Sequence, residues 1–222
     1  MQNGHVVYSF LGQELHLLPQ KAIFWKEQNA LLVADVHLGK VGHFRKSGIA
    51  IPRSMEQNDL AVLSDLIEEH RPGKLYILGD FFHSDMNADW QWMSLWREQH
   101  KSVKITLVMG NHDVIEEKNY HEIGIETCLR CKEGPFMLMH HPVSHTDKLE
   151  GLYGLAGHIH PGVTFTGRGR EYVTLPCFSF GKEQGILPSF GRFTGRVSLQ
   201  YRESDHVFAV LKNHVFRVNR SA

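Results

Sequence analysis

Five short apolar runs, each ending abruptly at acidic, histidine or glycine residues, constrain the fold of this chain most strongly. They cover residues 31–34, 75–78, 105–109, 136–139 and 152–156. Runs of this length bounded by polar residues are typical of buried β-strands. Helical spacing of apolar residues at 60–67 lies between the first and second runs, and another helical pattern at 88–99 lies between the second and third runs. This alternation predicts an α/β core.

In the second helical pattern, Trp92, Leu95 and Trp96 share one face, and we expect that face to pack in the core. Residues 5–25 contain two extended runs that predict a hairpin. After Pro161 the sequence changes to short β-rich pieces punctuated by glycine, which predict a second sheet in the tail. Because no linker, repeat or low-complexity tract interrupts the chain, one domain is expected over residues 1–222.

Composition narrows the function less than the motifs do. The 24 Lys and Arg residues balance 24 Asp and Glu residues, which argues against nucleic-acid binding through bulk charge alone. The chain has only three cysteines, an odd number, so a disulfide framework is not expected. Since no run approaches the length of a membrane span and residues 1–5 lack a signal-peptide pattern, a cytoplasmic protein with no membrane segment is expected.

Sixteen histidines are the compositional anomaly, and several of them follow the apolar runs directly. The five elements are Asp35-Val36-His37, Gly79-Asp80, Gly110-Asn111-His112-Asp113, His140-His141-Pro142 and Gly157-His158-Ile159-His160. Because ligands bind outside the carboxyl ends of strands in open α/β sheets, these elements are predicted to converge. In an extended segment, residues two apart face the same side, so Asp35 can join His37, and likewise His158 can join His160. Carboxylate, imidazole and amide ligands suit Mn, Zn or Fe, and Mn is our first choice.

In their order and spacing, these elements resemble the motifs of the calcineurin-like metallophosphoesterase superfamily. The resemblance implies a four-layer sandwich of two central mixed β-sheets flanked by helices, with two divalent metal ions. It implies a first metal position formed by Asp35, His37 and His160, and a second formed by Asn111, His140 and His158. It also implies that Asp80 bridges the two ions and that His112 is the catalytic acid. The family's His-x-Pro pattern selects His140 over His141, whereas the residue that supports His112 stays open among His83, Asp85 and Asp113.

A closer resemblance concerns residues 34–40, 44–52, 78–84 and 187–195, which are similar to the ligase-associated DNA damage response endonuclease family, PdeM. It implies metal-dependent cleavage of DNA phosphodiesters in DNA repair, with a DNA ligase and a helicase as partners. Lys40 and Arg45 lie in a basic stretch that could contact additional phosphates. His83 is the third candidate substrate contact.

Two cations about 3.5–4 Å apart can hold a bridging hydroxide that attacks the phosphorus. Protonation of the departing oxygen by His112 would contribute roughly 10²–10⁴-fold in rate. Two alternatives stay open from the sequence. One is a small-molecule phosphodiesterase or pyrophosphatase acting on a cyclic nucleotide, a nucleotide or a UDP-linked compound. The other is a scaffold that uses the fold without catalysis.

Overall fold

Two β-sheets stacked face to face form the centre of the molecule. The computed structural model describes residues 4–38, 54–82, 88–144, 146–167, 169, 171–192 and 194–219. The first sheet consists of β1 (Val6–Phe10), β2 (Gln13–Leu17), β3 (Ile23–Trp25), β4 (Ala30–Ala34), β5 (Lys74–Leu78), β6 (Lys104–Val108) and β7 (Ile125–Cys128). The second consists of β8 (Arg130–Glu133), β9 (Phe136–Met139), β10 (Tyr153–Ala156), β11 (Pro161–Thr166), β12 (Tyr172–Phe180), β13 (Gln184–Ile186), β14 (Val197–Ser198), β15 (His206–Leu211) and β16 (His214–Arg217).

The first sheet keeps the sequence order of its strands and changes direction once. Strands β1 to β4 pair antiparallel, and β4 to β7 pair parallel. In the parallel half Ala34 pairs with Leu78, and Leu78 pairs with Val108, so the carboxyl ends of β4, β5 and β6 lie level. Whatever follows these three strands therefore emerges at one edge of the sheet.

The second sheet is also mixed. Strands β9 and β10 pair parallel, whereas β8 with β9 and β11 with β12 pair antiparallel. The expectation of two mixed sheets is thus confirmed. The strands of the tail do lie in the second sheet, as expected, and β8, β9 and β10 from before the tail belong to it as well. Local patterning identifies a buried strand but carries no information about which sheet it joins.

Alternation along the central strands explains the layers. On β4, Leu31 and Val33 face the helices, while Leu32 and Ala34 face the second sheet. Three helices occur in the described part of the chain: α1 (Ser54–His70), α2 (Ala88–Gln99) and α3 (Glu117–Glu122). Their apolar residues join the core on the outer face of the first sheet. None of the described helices is long and apolar enough to cross a membrane.

Helix α2 buries a different face from the one expected. Trp90, Met93 and Trp96 are buried, whereas Trp92 and Leu95 are 55% and 59% exposed. The buried positions follow a three-residue spacing that includes Trp96, and this stripe points Trp92 and Leu95 away from the core. Core packing is therefore confirmed for Trp96 and was wrong for the other two residues.

Candidate metal centre

The five sequence elements meet at the carboxyl ends of strands from both sheets. Asp35 and His37 follow β4, Asp80 follows β5, and Asn111 follows β6. His140 follows β9 in the second sheet, and His158 and His160 follow β10. The structure brings all seven candidate ligands together, and three groups of potential metal donors result, each with ligand atoms within 4.8 Å of one another. These groups are Asp35, His37 and His160; Asp35, Asp80 and His140; and His140, His141 and His158.

The backbone of these loops is not extended. Left-handed φ angles occur at five of the seven candidates, namely Asp35 (52°), His37 (54°), Asp80 (49°), His158 (70°) and His160 (53°). The expected extended geometry of the Asp-x-His and His-x-His segments was therefore wrong, although the side chains do meet. Each such conformation costs on the order of 1–3 kcal/mol in a non-glycine residue, and clusters of them are typical of functional sites. Backbone hydrogen bonds oppose the strain, since Asp35 N donates to Gly79 O (3.2 Å) and His37 N to Asp80 O (2.8 Å).

The first donor group consists of Asp35, His37 and His160. Nε2 of His37 lies 3.3 Å from Nε2 of His160, which in turn lies 3.6 Å from Asp35 Oδ1. His160 donates its Nδ1–H to the carbonyl of Gly195 (3.2 Å), so its Nε2 presents a lone pair to the group. Asp35 is completely buried and His37 is 7% exposed, which limits the access of water on this side.

The second donor group surrounds His140. This buried histidine donates Nδ1–H to the carbonyl of Leu78 (3.1 Å), which leaves the Nε2 lone pair directed into the site. That atom lies 3.0 Å from Asn111 Oδ1, 3.1 Å from His158 Nδ1 and 3.4 Å from Asp80 Oδ1. Asn111 and His158 are both exposed, so this half of the site is open. Partial burial lowers the pKa of His158, and the neighbouring His140 lowers it further to a smaller extent. The lowered pKa favours the neutral imidazole, which is the form that binds metals.

The side chains of the site are arranged to bind divalent cations and not to hydrogen-bond with one another. A histidine nitrogen without its proton, a carboxylate oxygen and an amide oxygen are all acceptors, and acceptors at 3.0–3.6 Å repel unless a cation lies among them. In addition, the buried Oδ1 of Asp35 has no hydrogen-bond partner among the described residues. A buried carboxylate oxygen without a donor is expensive, and a metal ion would satisfy it.

The glycines of the motifs leave room for these ligands. A Cβ at Gly110 would lie 2.2 Å from Asp80 Oδ1, and one at Gly157 would lie 2.6 Å from Asp35 Oδ2. Each glycine therefore makes space for a carboxylate from a different loop. A larger residue at either glycine would displace the carboxylate from its buried position.

His112 lies at the exposed margin of the first group, with its ring centroid 5.8 Å from that of His37. Its backbone N–H donates to Asp80 Oδ1 (2.9 Å). The adjacent Asp113 accepts backbone N–H groups from Phe81 (2.8 Å) and Phe82 (3.1 Å) through Oδ1, and from Gly110 (2.8 Å) through Oδ2. Asp113 therefore ties the loop after β5 to the loop after β6, and burial raises its pKa to about 6.

Three candidate substrate contacts, Lys40, Arg45 and His83, lie outside the described residues, as does Asp85. His140 was predicted as a ligand in preference to His141, whose ring centroid lies 4.3 Å from that of His158 and 4.7 Å from that of His140. The contact of Ser189, whose Oγ donates to the carbonyl of Asp35 (2.8 Å), was not predicted. Adjacent histidines were a visible signal for the first, whereas nothing local indicates the second.

Known proteins resemble this chain in both sequence and fold. Residues 29–184 match the calcineurin-like phosphoesterase family. The crystal structure of Pseudomonas putida nuclease MPE shares 33% sequence identity and a TM-score of 0.80, covering 96% of this chain and 100% of that chain.

Two further phosphoesterase structures are more distant. Yfce, a phosphoesterase from E. coli, has 13% identity and a TM-score of 0.42, covering 86% of this chain and 99% of that one. A predicted phosphoesterase from Streptococcus pneumoniae TIGR4 has 12% identity and a TM-score of 0.35, covering 86% and 97%. No curated protein sequence matches this chain significantly.

Proposed function

This chain belongs to the calcineurin-like phosphoesterase family, and from that premise we propose that it hydrolyses DNA phosphodiester bonds with two divalent metal ions. Family membership makes it a metal-dependent hydrolase acting on phosphoester bonds. The observation that supports a nucleic-acid substrate is the likeness to a nuclease at 33% identity over nearly the whole of both chains. The closer resemblance of residues 78–84 and 187–195 to PdeM proteins favours DNA within that class.

In the proposed site, Asp35, His37 and His160 hold one ion, and Asn111, His140 and His158 hold the other. Asp80 is proposed as the shared ligand. In support, its Oδ2 lies 3.8 Å from His37 Nε2, and its Oδ1 lies 3.4 Å from His140 Nε2. One carboxylate thus reaches both donor groups, and His140 is better enclosed than the exposed His141.

Divalent ions, when bound, neutralise phosphate charge and activate water as the nucleophile. The side chains of the chain then have two remaining tasks, which are to orient the phosphodiester and to protonate the leaving oxygen. We assign the second task to His112, since its ring is exposed beside the first donor group and its backbone is fixed on Asp80. A histidine in this role contributes roughly 10²–10⁴-fold in rate.

Manganese is the proposed metal, with zinc or iron as the alternatives. The donor groups offer imidazole nitrogens, carboxylates and one amide oxygen, and contain no thiolate. Borderline and hard first-row cations prefer this combination. Lys40, Arg45 and His83 are kept as proposed substrate contacts. A single domain over residues 1–222, a cytoplasmic location and a role in DNA repair beside a ligase and a helicase also stay predictions.

A substrate panel tests the proposal. Single-stranded DNA, bis(p-nitrophenyl) phosphate and a set of nucleotides would be incubated with the chain under manganese, with EDTA and with the Asp80→Asn variant as controls. We expect DNA cleavage under manganese that both controls abolish. Turnover of the nucleotides or the aryl diester without any DNA cleavage would instead support a small-molecule phosphodiesterase.

A further inference from the structure

The segment formed by residues 189–192 and 194–195 contacts the first donor group. Phe190 N donates to Ala34 O (2.7 Å), and Gly191 N donates to Asp35 O (3.1 Å). Ser189 Oγ donates to the same carbonyl of Asp35 (2.8 Å). Two hydrogen bonds therefore converge on the carbonyl of a residue whose φ angle is left-handed. The segment, together with β4, therefore holds the backbone of Asp35, which carries the carboxylate.

The far end of the same segment contacts another member of this group. The Gly195 carbonyl accepts the Nδ1–H of His160 (3.2 Å), which fixes the ring orientation and the tautomer. At Gly191 the segment approaches the loop after β4 so closely that a Cβ there would lie 2.4 Å from Val36 O. Residues 189–191 thus contact Asp35, and Gly195 of the same segment contacts His160.

Lys21 fixes this segment from behind. It lies in the turn between β2 and β3, and its Nζ donates to the carbonyls of Phe190 (2.6 Å) and Gly191 (3.1 Å). Burial lowers its pKa to about 8, while the nearby carboxylate of Asp59 acts in the opposite direction. Asp59, on α1, also pairs with Arg192 at 3.5 Å, so the segment is tied to a helix as well.

We propose that Lys21 is a positioning residue for the metal ion held by Asp35, His37 and His160. The proposal rests on the metal-binding role proposed for these residues above. Without the ammonium group, the buried carbonyls of Phe190 and Gly191 lose their donor, and such groups move toward water. The segment would then release both the Asp35 carbonyl and the His160 ring. Residues that orient metal ligands in this way are worth roughly 10–100-fold in metal affinity.

A set of three variants tests the proposal in the full chain. Lys21→Met removes the donors, Lys21→Arg keeps a cation with donors, and Lys74→Met serves as the matched control. Lys74 is a half-buried lysine at the start of β5, and its Nζ donates to Gln28 and Glu133 at 3.2 Å, far from the strand ends that carry the ligands. Calorimetric Mn²⁺ titration and thermal unfolding of the metal-free protein are measured for each.

We expect Lys21→Met to weaken one Mn²⁺ binding step roughly 10–100-fold. The other step should be unchanged, and saturating Mn²⁺ should restore turnover. Lys21→Arg should recover most of the affinity, and Lys74→Met should bind as the wild type does. If Lys21→Met and Lys74→Met lower the unfolding temperature alike and both keep wild-type Mn²⁺ affinity, Lys21 is only structural and the proposal is overturned.

Gly191→Ala provides a second test if Lys21→Met does not fold. The added Cβ pushes the segment away from Val36 and should weaken the same binding step while leaving Lys21 in place. Unchanged Mn²⁺ affinity in this variant would overturn the positioning role. The two-metal proposal is judged separately, because it fails if the wild type itself binds fewer than two Mn²⁺ ions. The role of Lys21 is read from the ratio of variant to wild-type affinity.

Discussion

The two halves of the site differ in how far the protein encloses them. Asp35 and His37 are buried, and the ring of His160 donates to the backbone carbonyl of Gly195. In the other half only His140 is buried, while Asn111 and His158 are exposed. One position is therefore built into the protein interior, and the other opens toward solvent. Backbone strain and burial are thus concentrated in the enclosed half, where the ligands are preorganised, whereas the open half has room for a phosphate group.

Removal of the shared carboxylate should have the largest effect, because it acts on both halves at once. Asp80 contacts a histidine from each half, and its Oδ1 also accepts the backbone N–H of His112. We expect Asp80→Asn to lose both metal ions and all measurable turnover. Elemental analysis and DNA cleavage would be measured together. A variant that keeps full activity would rule out the shared role.

His112→Ala should have the second largest effect, which falls on turnover and not on metal content because His112 belongs to neither donor group. We expect turnover to fall roughly 10²–10⁴-fold. Bound metal should stay close to the wild-type content. Loss of metal in this variant would show that His112 is a ligand and would remove its assignment as the acid.

A third pair of variants compares the two halves directly. His37→Ala removes a ligand from an enclosed position that water reaches poorly, whereas His158→Ala removes one from an exposed position where water and His141 are close by. We expect His37→Ala to lower the affinity for its metal ion about tenfold more than His158→Ala does, a difference of about 1.4 kcal/mol in binding free energy. Equal losses of Mn²⁺ affinity in the two variants would show that enclosure does not distinguish the two halves of the site.

The fourth prediction concerns the stability of the metal-free chain above neutral pH. Lys21 has a pKa of about 8 when folded and about 10.5 when unfolded, so between these values the unfolded chain binds more protons. Stability should therefore rise with pH across this window, by up to about 3 kcal/mol relative to Lys21→Met. Urea unfolding of both proteins at pH 7.5, 9 and 10 measures the difference. A constant difference would mean that Lys21 keeps an ordinary pKa.

Sequence reasoning could predict the strand ends of the site, because a buried strand and the motif after it are both local in sequence. The ligands follow the apolar runs directly, and parallel pairing of β4 with β5 and β6 brings their ends to one edge. It could not predict the left-handed backbone at Asp35 or His160, because the conformation is imposed by contacts from other loops. Lys21 is separated from Phe190 by 169 residues, and no spacing pattern reports a contact of that range.

The buried face of α2 shows the same limit. Trp92 and Trp96 have equal hydrophobic character in the sequence, and only the position of the sheet beneath the helix decides which one is buried. Whether β9 and β10 join the first or the second sheet likewise depends on which strands they pair with. Local pattern predicted which residues form elements, whereas long-range packing decided how the elements face one another.

Anomalous scattering from crystals grown with manganese would test the two-metal proposal. We predict two peaks about 3.5–4 Å apart, the spacing of two-metal sites. One should lie beside Asp35, His37 and His160, the other beside Asn111, His140 and His158, with Asp80 between them. A single peak, or peaks away from these residues, would contradict the proposed two-metal site.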